Sequence, residues 1–178
     1  MKILIYLVAL FISQSLVAGV ALETKKFTDI EIKTKEMIKK YGAKNVLVVL
    51  DIDNTILTMP QELGSDQWYT WQYTDCIKKQ IKKDYCITNK MGELLRHMGN
   101  IFALSKMLPT EKTAPKIVKN MQAAGVKVFL LTSRSPDYRN STERELRRNG
   151  YSFINNSIGP IGGFPGTYLP YKLSLIHI

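Results

Sequence analysis

Two kinds of apolar spacing alternate along this chain. Residues 46–50 are a short, continuous apolar run rich in β-branched residues, and 126–131 are an apolar run broken only by Lys127; such runs form buried strands. Between and around them the spacing turns helical. Phe27, Ile30, Thr34, Met37, Ile38 and Tyr41 share one helical face, and Gly42 stops it. Ser65 is placed to cap a helix carrying Trp68, Tyr69, Trp71, Tyr73 and Cys76. From Asn89, the residues Met91, Leu94, Leu95, Met98, Ile101, Phe102 and Ser105 make a second stripe. A further helix over 111–124, with Thr110 as its candidate cap and Pro115 in its first turns, leads through Gly125 into the second apolar run. Ser135-Pro136 then supplies an N-cap and a first-turn proline for a charged helix running from Arg139 to Asn149 and closed by Gly150. Strands separated by helices predict an α/β domain with a parallel sheet.

The N-terminus follows a third pattern. Lys2 precedes an apolar stretch over 3–12, then Ser13-Gln14-Ser15 and the small-residue run Val17-Ala18-Gly19-Val20-Ala21. This is the layout of a secretory signal peptide, so residues 1–21 are expected to be removed and excluded from the fold. The polar Ser13, Gln14 and Ser15 weaken the competing reading of a membrane anchor. The protein is therefore expected to be exported, periplasmic or secreted, without stable membrane insertion afterwards. Cys76 and Cys86 are the only cysteines, and an oxidising compartment permits them to pair. On one continuous helix, ten steps would hold them about 15 Å apart, so pairing requires a turn near Lys83-Asp84-Tyr85. Two free, buried thiols are the alternative.

Both apolar runs end in chemistry. Val46-Leu-Val-Val-Leu50 is followed by Asp51-Ile52-Asp53-Asn54-Thr55, two carboxylates two residues apart at a strand end. The C-terminal edge of a parallel sheet is where α/β proteins place ligands. One carboxylate there can act as a nucleophile and the other as a proton carrier. A calcium loop is excluded by Ile56, which stands where such a loop needs glycine. The second run ends in Leu131-Thr132-Ser133-Arg134.

These two strand-end motifs resemble motifs I and II of the haloacid dehalogenase (HAD) superfamily. The resemblance covers residues 44–153, and its specific part is the two short runs. It implies a Rossmann-like parallel sheet over 22–172, with a small helical cap inserted at 58–108. It also implies roles. Asp51 would form an aspartyl-phosphate and Asp53 would serve as general acid and base. Mg²⁺ would be held by the Asp51 carboxylate and the Asp53 carbonyl. Thr132 would bind the transferring phosphoryl group, while Asn54 and Thr55 shape the turn and the substrate site. Arg134 would clamp a phosphate or carboxylate, or else pair with Asp137 or Glu143. The aromatic residues Trp68, Tyr69, Trp71 and Tyr73 would face the cap's mouth or pack cap against core. The expected function is an exported Mg²⁺-dependent hydrolase, a phosphatase acting on a phosphorylated small molecule or phosphoprotein. The alternative is a secreted HAD-fold binding or effector protein without turnover. The signal segment, the Ser65-Asp66-Gln67-Trp68 helix start and the Leu131–Arg134 run are similar to a secreted branch of HAD-like proteins from bacteria that live inside host cells.

A formal net charge of +10 and a sequence pI near 9.6 raise the question of nucleic acid. The excess is mostly dispersed lysine, as at Lys78-Lys79 and Lys82-Lys83, read as a solvated helix face with no nucleic-acid-binding pattern. His97 is expected on the polar side of its helix, exposed to solvent. The Gly/Pro-rich stretch 159–166 reads as a loop and not a dinucleotide fingerprint.

HAD chemistry also needs a later cation and a second acidic pair. After Thr132 the only acids are Asp137, Glu143 and Glu145, all on one predicted helix, and Lys172 is the one candidate lysine. Residues 173–178 are Leu-Ser-Leu-Ile-His-Ile, a run that resembles the translation of a transposon end used in sequencing-library adaptors. They are expected to be a non-native tail on a gene fragment, and the fragment is expected to be inactive.

Overall fold

The computed structural model describes residues 21–153 and a strand at 175–177. Its first helix, α1 (Phe27–Tyr41), ends where the glycine stop predicts: Gly42 takes a φ of 81° and its N–H donates to the Ile38 carbonyl. No side chain of its own segment caps α1. Glu111 does so from a distance, accepting the Phe27 N–H at 2.6 Å. The apolar runs become β1 (Leu47–Leu50) and β4 (Lys127–Thr132), paired in parallel with Leu47 opposite Lys127 and Leu50 opposite Leu130. Alternation in β4 buries Val128, Leu130 and Thr132 and leaves Phe129 and Leu131 half-buried.

The crossover between these strands is long. It holds a two-residue strand β2 (Leu57–Thr58), helices α2 (Asp66–Gln72) and α3 (Met91–Leu104), the antiparallel partner β3 (Leu108–Pro109), and α4 (Ala114–Ala123). Ser65 caps α2 as expected, accepting the Trp68 N–H at 3.2 Å. After β4 a 3-10 turn at Pro136–Tyr138 leads into α5 (Arg139–Arg148). The last strand, β5 (Leu175–His177), lies parallel to β4 on the side away from β1, with Thr132 opposite His177. Part of the expected 173–178 tail therefore adds to the sheet. A run of Leu, Ile and His has the character to extend an open strand edge.

The described chain is thus a mixed α/β fold with a small parallel sheet and helices. Its core gathers Leu50, Ile52, Ile56 and Leu57 from β1 and the following turn. Ile117, Val118 and Met121 of α4, Val128 and Leu130 of β4, and Leu146, Tyr151 and Phe153 complete it.

Of the two alternatives open for Cys76 and Cys86, the structure has the disulfide, with Cα atoms 5.5 Å apart. The chain gains this proximity because α2 widens into a π-helical turn at Tyr73–Lys78 and then leaves helical structure at Lys79. For that reason Lys82 and Lys83 do not lie on a helix face; they sit in the loop that the disulfide closes. His97 is half-buried, not solvent-exposed. Among the described residues no helix is long and apolar enough to cross a membrane. The expectations for residues 1–20, for the 159–166 loop and for Lys172 fall outside the described residues.

Candidate functional site

The turn after β1 is organised around one carbonyl. The Ile52 oxygen accepts N–H groups from Thr55, Ile56 and Leu57 at 3.3, 3.0 and 3.0 Å, so the chain curls back at once. Asn54 stands at the tip with a φ of 55°, a left-handed conformation that asparagine tolerates better than most residues. Its side-chain amide donates to Asp66 of α2 and its oxygen accepts from Thr58 at 2.9 Å. Thr110 and Tyr151 brace the turn from outside, donating to the Thr55 and Ile56 carbonyls at 2.7 and 2.9 Å. Burial of Tyr151 pushes its phenol well above the usual tyrosine range, so it stays a donor.

This curl brings Asp51 and Asp53 to one cavity of about 880 Å³ at the C-terminal ends of β1 and β4. Ser133, Arg134 and Ser135 line it from the β4 side. Tyr69, Leu95, Met98 and Phe102 line it from α2 and α3. Leu95 and Phe102 belong to the predicted α3 stripe, which divides its work. Leu94 and Phe102 are buried, while Leu95 is exposed toward the cavity. Of the four α2 aromatics only Tyr69 reaches the lining, and Trp71 and Tyr73 are exposed.

Asp51 accepts weakly from Thr55 at 3.5 Å. Loss of surrounding water pushes its carboxyl above the usual range. The Asp53 charge adds to that rise, and the Ile52 N–H, Arg134 and Thr55 oppose it. Asp53 has a stronger partner. Arg134 grips it with both arms, Nη2 to Oδ1 at 2.5 Å and Nε to Oδ2 at 2.8 Å. The guanidinium also donates to Thr142 at 3.2 Å and lies 3.5 Å over the Phe102 ring. Among the described residues Arg134 thus pairs with Asp53 and not with Asp137 or Glu143, because its fork is matched to the carboxylate beyond the neighbouring strand end.

Thr132 is 1% exposed, and its hydroxyl accepts the Arg134 N–H at 3.2 Å. It faces the interior because strand alternation turns it to the same side as Val128 and Leu130. Ser133, one step on, lines the cavity in its place. Sequence reasoning passed over Ser133, although the period-two rule flags it once the burial of Leu130 is known.

The Asp51 carboxylate lines the cavity, and with the Asp53 carbonyl that the HAD resemblance names it would make two oxygen donors for a hard cation. Asp51 is short of compensating charge, and an oxygen-only pair suits Mg²⁺, which is commonly held through one or two carboxylates, water and substrate phosphate. Among the described residues no group of three or more His, Cys, Asp or Glu is placed to hold a metal.

Over residues 23–173 the chain matches a family described as "Protein of unknown function (DUF2608)". The chain belongs to that family. The DUF2608 match spans α1, both strand ends, the helices between them and α5. No curated protein and no solved structure matches the chain.

Proposed function

We propose that this site performs phosphoryl transfer from a phosphomonoester to water, on a HAD-like core. One observation carries the reading. Two carboxylates, a serine hydroxyl and a guanidinium from adjacent parallel strand ends line a single cavity. The Asp51 carboxylate is the nucleophile. It attacks phosphorus in line, the ester P–O bond breaks, and the leaving alkoxide takes a proton from Asp53. Asp53 then takes a proton from water as the water oxygen attacks the phosphorus of the Asp51 aspartyl-phosphate; the Asp51 O–P bond breaks, which releases phosphate and restores the carboxylate. Mg²⁺, held by Asp51 and the Asp53 carbonyl, would supply charge neutralisation of the phosphoryl group when bound. Ser133 is the hydroxyl placed to meet phosphoryl oxygens, and Thr132 supports the strand end behind it. Arg134 orients Asp53. Because both Asp53 oxygens are engaged, proton transfer needs one of those bonds to open, and an incoming phosphate offers the guanidinium a second anion.

The test is hydrolysis of p-nitrophenyl phosphate, with added Mg²⁺, by the protein expressed from its complete gene. Asp51→Asn should reduce the rate at least about a thousandfold, since members of a catalytic set act as a unit. An Asp51→Asn protein as active as the parent would end the reading. The second reading, a binding protein without turnover, is favoured by the doubly engaged Asp53. It predicts no Mg²⁺-stimulated release of phosphate from any of a panel of phosphomonoesters.

A further inference from the structure

The disulfide-closed loop carries a surface that phosphoryl transfer does not use. Trp71 and Tyr85 stack with ring centroids 5.0 Å apart, yet they are 42% and 40% exposed. Ile87 beside them is 44% exposed. Exposed aromatic and aliphatic groups in one place on a soluble surface mark a contact region. Here they are held rigidly. Buried Gln72 donates to the Tyr85 carbonyl at 2.9 Å and accepts the Ile87 N–H at 3.2 Å, and the Cys76–Cys86 bond ties the loop to the end of the π-helical turn.

Around this platform stand Lys78, Lys79, Lys82 and Lys83, all exposed. Lys79 pairs with Asp75 at 3.0 Å, whereas no ion pair engages Lys78, Lys82 or Lys83 among the described residues. No arginine occurs from Trp71 to Lys90. Nucleic-acid and phosphopeptide sites favour the flat, bidentate arginine fork, while lysine ammoniums act as mobile point charges suited to a layer of headgroups. Trp and Tyr are the residues that settle at the boundary between headgroup and acyl chain, and Ile87 adds apolar surface that a phosphate backbone would not reward.

We propose that this loop docks the protein on an anionic lipid surface, with Trp71, Tyr85 and Ile87 at the interface and the free lysines against the headgroups. The docking is peripheral, because the platform is small and the charges face outward.

The experiment uses the whole chain with Trp68→Phe, which leaves Trp71 as the sole tryptophan of the two present. Mixed with vesicles of phosphatidylcholine and phosphatidylserine, the protein should co-sediment and its emission should shift to the blue. Vesicles of phosphatidylcholine alone should give neither, and added salt should release it. Lys82→Gln with Lys83→Gln, at exposed positions that leave the core untouched, should weaken binding roughly thirtyfold. Trp71→Ala, read by sedimentation, should also weaken it. Absence of binding, equal binding to both vesicle types, or an unshifted Trp71 would overturn the proposal. So would binding to single-stranded DNA that phosphatidylserine vesicles fail to displace, which would make the surface a nucleic-acid site.

Discussion

At Ser133 and Thr132, two neighbouring hydroxyls have opposite fates. The sequence motif points to Thr132, because the hydroxyl directly after an apolar strand is the one the HAD resemblance names. Strand alternation sends Thr132 inward, where its oxygen satisfies the Arg134 N–H, and leaves Ser133 on the cavity wall. The two predict different variants. Ser133→Ala should slow phosphomonoester hydrolysis by about tenfold or more with little change in unfolding free energy. Thr132→Ala should remove a buried hydroxyl and its bond to the half-buried Arg134 N–H, and cost about 1–3 kcal/mol in denaturant unfolding. If Thr132→Ala lost activity with unchanged stability while Ser133→Ala stayed active, the phosphoryl contact would return to Thr132. The carboxylates were legible from residue order alone, since Asp51 and Asp53 need only the strand to end where it does. The Arg134–Asp53 grip was not. It joins residues 81 positions apart, and only the parallel pairing of β1 with β4 brings them together.

Helix periodicity was the most readable signal at the level of elements. It set α1 within its observed bounds and found α3 and the capped start of α2. It overextended the helix before β4, which begins at Ala114, three residues beyond the reading that started it at Glu111. The disulfide turn stayed ambiguous because its cause, a widened turn after Tyr73, leaves no periodic trace. Element contacts were also hidden, and Gly99 on α3 shows why that matters. A Cβ there would lie 2.0 Å from the Tyr138 ring, so the glycine is what lets α3 approach the turn before α5. The Tyr138 hydroxyl uses that approach to donate to the Arg96 carbonyl at 3.2 Å and to Asn100 at 3.4 Å. Gly99→Ala should displace Tyr138 from the cavity rim. The expected result is a stability loss of about 1–3 kcal/mol and a rise in KM larger than any fall in kcat. An unchanged KM would mean that Tyr138 yields without reshaping the mouth. Tyr138→Ala offers the control, since it removes the clash and the two hydrogen bonds together.

Across the whole molecule, α3 and α5 are joined through one buried carboxylate. Glu145 of α5 is fully buried, accepts the Met107 N–H at 2.8 Å, and pairs with Arg144 at 2.8 Å and Arg148 at 3.1 Å. Arg144 extends the link to the Ala103 carbonyl at 2.8 Å, at the C-terminal end of α3. Burial works to raise the carboxyl of Glu145. The Met107 N–H and the two arginines outweigh it, and the group is held below its ordinary value of 4.5. A lowered folded value means that the charge contributes stability above the unfolded pKa and loses it as pH falls through the folded one. Acidification should therefore loosen the junction of α3 with α5 only below the usual carboxylate range, after a carboxyl of raised pKa such as that of Asp51 has taken its proton. Glu145→Gln keeps an acceptor for Met107 but removes both ion pairs, so it should cost about 1–3 kcal/mol near neutrality. Its unfolding free energy should fall less steeply with acid than the parent's, and the two curves should converge once the parent's Glu145 is protonated. Denaturant unfolding across that range measures this directly. A gap that stays constant from neutral pH to strong acid would show that the buried charge contributes nothing, and that shape alone holds α3 to α5.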